Sequence, residues 1–193
     1  MAQGRTPLVG MVIGGTALTA GLIGCGIVGQ MATPADASTS VRQPAVGQSA
    51  VGTRCKAGDL RVSLGGGDAA MGHTYRTLRF TNVSGHSCTL RGFPGVSYVA
   101  GDDGHQVGAP AARTGNSGTS IRLANGQTAS TTVGMANVHN YDAATCKPQS
   151  IRGLRVYVPD ERAAKFVQLN GTGCGNAKVQ QLTVKALQGG RGQ

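Results

Sequence analysis

Tryptophan is missing from these 193 residues, and three Phe with four Tyr complete the large aromatic side chains. A core without many rings must be aliphatic, built from Val, Leu and Ala. Rows of exposed rings for stacking single-stranded nucleic acid are excluded as well. Acidic residues are also scarce, eight against eighteen Lys and Arg, so hydrolysis through converging carboxylates or a Ser-His-Asp set has little to draw on. Asp102-Asp103 and Asp160-Glu161 fall in turn-like stretches, where Asp is favoured for backbone reasons alone. Ser84-Gly85-His86-Ser87 lacks the pattern of a nucleophile elbow, and Gly65-Gly66-Gly67 lacks the Gly-Lys-Ser/Thr ending of a phosphate-cradling loop. No two cysteines stand at C-x-x-C spacing, which argues against a zinc site and a thioredoxin-like pair. The four histidines, His73, His86, His105 and His139, show no short metal-ligand spacing. These absences lead us to expect no catalysis, no cofactor and no metal, with an enzyme or a metal-binding carrier as the alternative.

What is present begins with an address. Arg5 is the one charge before an uncharged, mostly small or apolar run over residues 8–29, the n-region and h-region of an export signal. Two exits from that run compete. Leu22-Ile23-Gly24-Cys25 looks like a lipobox, which would make Cys25 a lipid-attachment residue. Ala35-Asp36-Ala37 looks like a small-x-small cleavage site, which would release a soluble chain starting at Ser38. The second is slightly preferred, and residues 1–37 are read as the export signal. An uncleaved anchor needs ~20 apolar residues, and this run is long enough but rich in Gly and Thr. All three exits place residue 38 onward outside the cytoplasmic membrane, secreted or attached to its outer face.

Removing residues 1–37 takes away one Arg and one Asp and leaves the net charge at +10. Such an excess attracts polyanions, although an Arg-coded solvated surface is the preferred explanation over a dedicated polyanion site. Residues 38–53 are too small and polar to bury a face and read as a flexible linker. Residues 54–187 then form one domain, and residues 188–193 a polar, frayed tail. Four cysteines remain: Cys55, Cys88, Cys146 and Cys174. An even count in an oxidising compartment argues for two disulfides, and three pairings are open. Neighbour pairing, Cys55 with Cys88 and Cys146 with Cys174, is preferred because each bond staples the start of one strand group to the end of the next. Each closed loop of roughly 30 residues is worth about 3.5 kcal/mol.

Glycine, 32 of 193 residues, collects in turn-like positions between runs that alternate apolar and polar residues. Leu60, Val62 and Leu64 give a first strand that the Gly65–67 triplet ends. Residues 74–83 give the next. The stretch 78–96 reads as a hairpin with its turn at 82–87 and its return opening at Cys88. Asp102-Asp103-Gly104 turns a second hairpin between Val99 and Val107, and residues 108–118 read as loop. Asn125-Gly126, between Ile121/Leu123 and Ala129/Thr131/Val133, is the strongest hairpin signal in the chain. Strands at 151–158, 166–169 and 179–187 follow, with a Gly-rich turn at 170–176. Eight or nine short strands and no convincing helix are the pattern of an antiparallel β-sandwich.

Several of these residues also carry a likeness. Cys55, then Leu78-x-Phe80-x-Asn82-x-Ser84-Gly85-x-x-Cys88-x-Leu90-x-Gly92-x-Pro94-Gly95-Val96, are followed by Gly108-Ala109-Pro110-Ala111 and Leu123-Ala124-x-Gly126. Cys146-x-Pro148, Gly153-Leu154-Arg155-Val156-Tyr157-x-Pro159 and Cys174 complete the order. Over about residues 54–187 this resembles the actinobacterial exported domain of unknown function numbered four-two-three-two. The resemblance implies an immunoglobulin-like sandwich on secreted proteins and lipoproteins, with the cysteines as structural pairs. It carries no activity, cofactor or functional residue.

If Leu60, Leu78, Leu154 and Leu182 face inward, alternation sends Arg61, Arg79, Arg155 and Lys185 outward, with Arg122 outward on its own strand. Arg79, Arg155 and Tyr157 are the residues expected to touch an anionic ligand, by bidentate bonds and by stacking. The competing explanation, and the preferred one, is that Lys and Arg on edge and outer strands block aggregation. The expectation is a monomeric, non-catalytic module of the cell envelope or exterior. Its partner would be an anionic envelope polymer or another envelope protein. Export keeps it from nucleic acid, and it meets the membrane only through a lipid anchor or an uncleaved signal.

Overall fold

The ladders of this chain leave the strands at 73–82, 128–136 and 148–157 with both edges occupied, and that fact sorts the sequence into sheets. The structure is a computed structural model, and it describes residues 52–192. The expected signal, Cys25 and the linker up to residue 51 lie outside the described residues. The strands in chain order are β1 (Leu60–Ala70), β2 (His73–Asn82), β3 (Cys88–Leu90), β4 (Gly95–Ala100), β5 (His105–Val107) and β6 (Ala112–Thr114). They continue with β7 (Ile121–Leu123), β8 (Thr128–Ala136), β9 (Pro148–Tyr157), β10 (Ala164–Cys174), β11 (Leu182–Lys185) and β12 (Gln188–Gly189). Helical structure among the described residues is confined to single turns. None of it is long and apolar enough to cross a membrane.

One sheet runs β1-β2-β8-β11-β6, with β12 also on β8, and a second runs β10-β9-β4-β5. β3 and β7 form a two-stranded piece. Pairing is antiparallel except for β6 on β11 and a single parallel bridge between Arg54 and Thr89. Alternation dictates the inner faces. Leu60, Leu78, Phe80 and Val133 of the first sheet meet Val96, Tyr98, Leu154 and Val156 of the second in one core, which Leu90 and Leu123 join from β3 and β7. Each large aliphatic side chain buried there contributes about 1.5–3 kcal/mol. The result is the all-β sandwich expected from the sequence, with the expected disulfides, Cys55–Cys88 and Cys146–Cys174. The first lies within the main core, and the second packs with Val179 in a small satellite core.

Several local expectations fail for identifiable reasons. The stretch 78–96 is not a hairpin. β2 is flanked by β1 and β8 along its length, so the return strand β3 finds no free edge and pairs with β7 instead. The Asn125-Gly126 turn does form, with the Gln127 N–H donating to Ala124 O at 3.0 Å, yet it joins strands of different sheets. β8 is already held by β2 on one side and by β11 and β12 on the other. The Gly65–67 triplet does not end β1. The register shifts between Leu64 and Gly67 and the ladder then resumes to Ala70, as glycines permit at a bulge. Residues 170–174, expected as turn, continue β10 past a second such shift between Gln168 and Gly171. The expected loop 108–118 holds β6, and the last strand is shorter than expected, Leu182–Lys185. These extra short strands raise the count among the described residues to twelve. The tail is also tied down, because Gln188 and Gly189 pair with β8 and Arg191 O accepts from Arg79 Nε at 2.8 Å. At the other end, the Thr89 N–H donates to Thr53 O at 2.9 Å, so ordered pairing starts just ahead of Arg54.

Candidate functional site

β9 carries Arg155 and Tyr157 on the face opposite its core residues Leu154 and Val156, as alternation requires. Register then decides what surrounds them. Arg155 stands opposite Phe166 of β10 and Ser97 of β4, and Tyr157 stands opposite Ala164 and Gly95. Both rings settle over glycines. The Tyr157 side chain lies so close to Gly95 that a Cβ there would sit 3.3 Å from it, and the Phe166 ring occupies the space where a Cβ of Gly153 would project. An aromatic ring covering a glycine of the neighbouring strand lies along the sheet instead of standing off it.

Two guanidinium groups interleave with the rings. Arg155 is 6.0 Å from the Tyr157 ring centre and Arg152 is 5.4 Å from that of Phe166. Such contacts are worth about 0.5–1 kcal/mol at exposed positions. Arg152 is also held through Nη1, which donates to Gly101 O at 2.7 Å and to Asp102 Oδ1 at 3.0 Å. Arg155 has no acidic partner among the described residues. Its Nη2 donates to Gln106 Oε1 at 2.9 Å, while its Nε is buried without a hydrogen bond. Phe166 remains 54% exposed. From the Tyr157 row to the Gly153 row is four residues, about 13 Å along the strand. The outer face of the four-stranded sheet thus presents ring, cation, ring, cation in a shallow strip with one uncompensated positive charge.

Arg79 is not part of this strip. It projects outward from β2 in the other sheet, so the core lies between it and Arg155. There it packs its guanidinium against Gly65 and binds the tail through Arg191 O. All four cysteines of the domain are consumed by the two disulfides. Phe166 and Arg152, which sequence reasoning passed over, complete the strip. Their place depends on the β9–β10 register, and the only local hint was the pair of glycines, Gly95 and Gly153, in otherwise apolar strands.

The histidines stay apart. His73 stacks on Tyr75, His86 Nε2 is 3.9 Å from Asp59 Oδ2, His139 sits in a turn, and His105 Nδ1 lies 2.8 Å from Asp103 Oδ1. The hydrogen bond from His105 holds the Asp103 carboxyl below its ordinary range. Burial pushes the Tyr98 phenol in the core well above its usual value. Among the described residues no three His, Cys, Asp or Glu side chains come close enough to hold a metal ion.

The family model described as domain of unknown function (DUF4232) matches residues 55–188. No curated protein matches the chain, and no solved structure matches it.

Proposed function

We propose that this chain, which belongs to the DUF4232 family, is an exported, non-catalytic module of the cell envelope that binds an acidic glycan. The observation that carries this reading is the strip of Tyr157, Arg155, Phe166 and Arg152 on the outer face of β9 and β10. Rings lying along a sheet offer flat apolar faces to sugar rings, and an unpaired guanidinium between them fits a carboxylate or phosphate on the same polymer. Two disulfides support an oxidising compartment, because such bonds persist outside the cytosol. A net charge of +10 favours encounter with an anionic polymer. The front of the chain supports either release after Ala37 or attachment by a lipid on Cys25.

Co-sedimentation with insoluble envelope polysaccharide tests the reading. R155E with F166A is expected to weaken retention about tenfold or more, while R79E leaves it within about twofold. Equal retention of the R155E/F166A variant and the unmutated protein would refute it.

A further inference from the structure

A cleft of about 670 Å3 opens where the chain enters the domain; none of the four strip residues lines it, although Pro159 and Asp160 of the β9–β10 connection do. Five separate segments build it: the lead-in with Arg54, the stretch after β3 with Arg91 and Phe93, β6 with Arg113, the 117–120 loop with Ser117 and Ser120, and the β9–β10 connection with Asp160. The Cys55–Cys88 disulfide and the bridge from Arg54 to Thr89 hold the lead-in against β3, so the position of Arg54 is fixed. Charge in the cleft does not balance. Asp160 is the one acid on its wall, and it binds Arg54 at 2.8 Å. Among the described residues Arg91 makes no ion pair, and Arg113 faces the Phe93 ring, 5.9 Å from its centre, without an acidic partner. Neither Ser117 nor Ser120 spends its hydroxyl on a protein partner among the described residues.

The geometry points to a binding site for a phosphate ester of a sugar or cyclic polyol. A carboxylate matches one guanidinium fork, whereas a phosphate has enough oxygens to accept from the forks of Arg91 and Arg113 and from a serine hydroxyl together. The volume exceeds what a lone phosphate needs and falls in the range of small-ligand pockets, ~300–1,000 Å3. The half-buried Phe93 ring on the same wall gives the ester's own ring an apolar face. This site stands independently of the strip on β9 and β10.

The test is a titration of the disulfide-bonded protein with glucose 1-phosphate, followed through backbone amide shifts. Saturable shifts are expected at Thr89, Gly92, Arg113 and Ser117. R91Q/R113Q is expected to weaken binding about 10- to 100-fold, whereas R155Q, which alters only the other site, leaves it unchanged. Both substituted arginines are exposed, and an unaltered unfolding temperature shows that the fold persists. The proposal is overturned if those amides do not shift saturably, if the double variant binds equally well, or if glucuronate or inorganic phosphate binds as tightly as glucose 1-phosphate. Phosphatidylcholine vesicles carrying phosphatidylinositol present a phosphate ester of a cyclic polyol, as a diester, on a lipid. Tighter capture there than by glucose 1-phosphate assigns the ligand to a lipid headgroup, and weaker capture assigns it to a free or polymer-borne ester.

Discussion

At the scale of single residues, Asn82 shows how one polar side chain settles a crossing between sheets. It is fully buried at the end of β2, and every polar atom of its side chain is used. Its Nδ2 donates to His86 O at 2.8 Å and to Leu123 O at 3.0 Å, and its Oδ1 accepts from the Ser84 N–H at 2.9 Å and the Ser84 hydroxyl at 2.7 Å. Its backbone N–H reaches Gln127 O and its carbonyl accepts from the Gly126 N–H. The residue therefore ties the end of β2 to the 82–87 bend and to the Asn125-Gly126 turn at once. Replacing it by Ala removes four side-chain hydrogen bonds, three within the bend and one to the carbonyl of buried Leu123, a loss of about 2–4 kcal/mol. Urea unfolding of N82A measures it, and a change below about 1 kcal/mol would contradict this account.

At the scale of elements, the Cys55–Cys88 bond fastens the lead-in to β3, a strand of three residues that has only β7 as its ladder partner. It closes a separation of 33 residues, so the double variant C55A/C88A is expected to lose about 3.5 kcal/mol. Equilibrium unfolding in urea reads that loss, and equal midpoints for the two proteins would contradict it. Elements are also where legibility in the sequence divides. The alternation in β2, β8 and β9 was plain, as were the turns at 102–104 and 125–126, and neighbour pairing of the cysteines was the preferred one of three. Partner choice was not, because a free ladder edge is a long-range property: β3 and β7 looked like halves of two hairpins only while the edges of β2 and β8 were unknown. Glycine misled for a related reason. In Gly65-Gly66-Gly67 and around Gly171 it marks bulges inside long strands, which local composition does not distinguish from turns. The candidate site divides in the same way. Arg155 beside Tyr157 follows from period-two alternation, whereas Phe166 enters only through its register opposite Arg155, and Arg79 leaves because its strand belongs to the other sheet.

At the scale of the whole molecule, the frame separates its tasks by face. The six-stranded sheet turns outward a surface of Thr77, Thr132 and Ser130 partly roofed by the 188–192 tail, while the four-stranded sheet keeps its aromatic and arginine strip open. With eighteen basic side chains against eight acidic ones, attraction to an acidic polymer acts over the entire surface and weakens with salt. Stacking on the strip does not depend on salt in this way, so a specific contact must persist at an ionic strength that removes diffuse attraction. The most direct measurement is an amide chemical-shift map of the protein titrated with an oligogalacturonate in about 0.5 M salt, where the Debye length is only ~4–5 Å. The account predicts saturable shifts gathered on β9, β10 and β4 around Arg155, Tyr157 and Phe166. Shifts spread over both outer faces, or vanishing altogether at that salt, would contradict it.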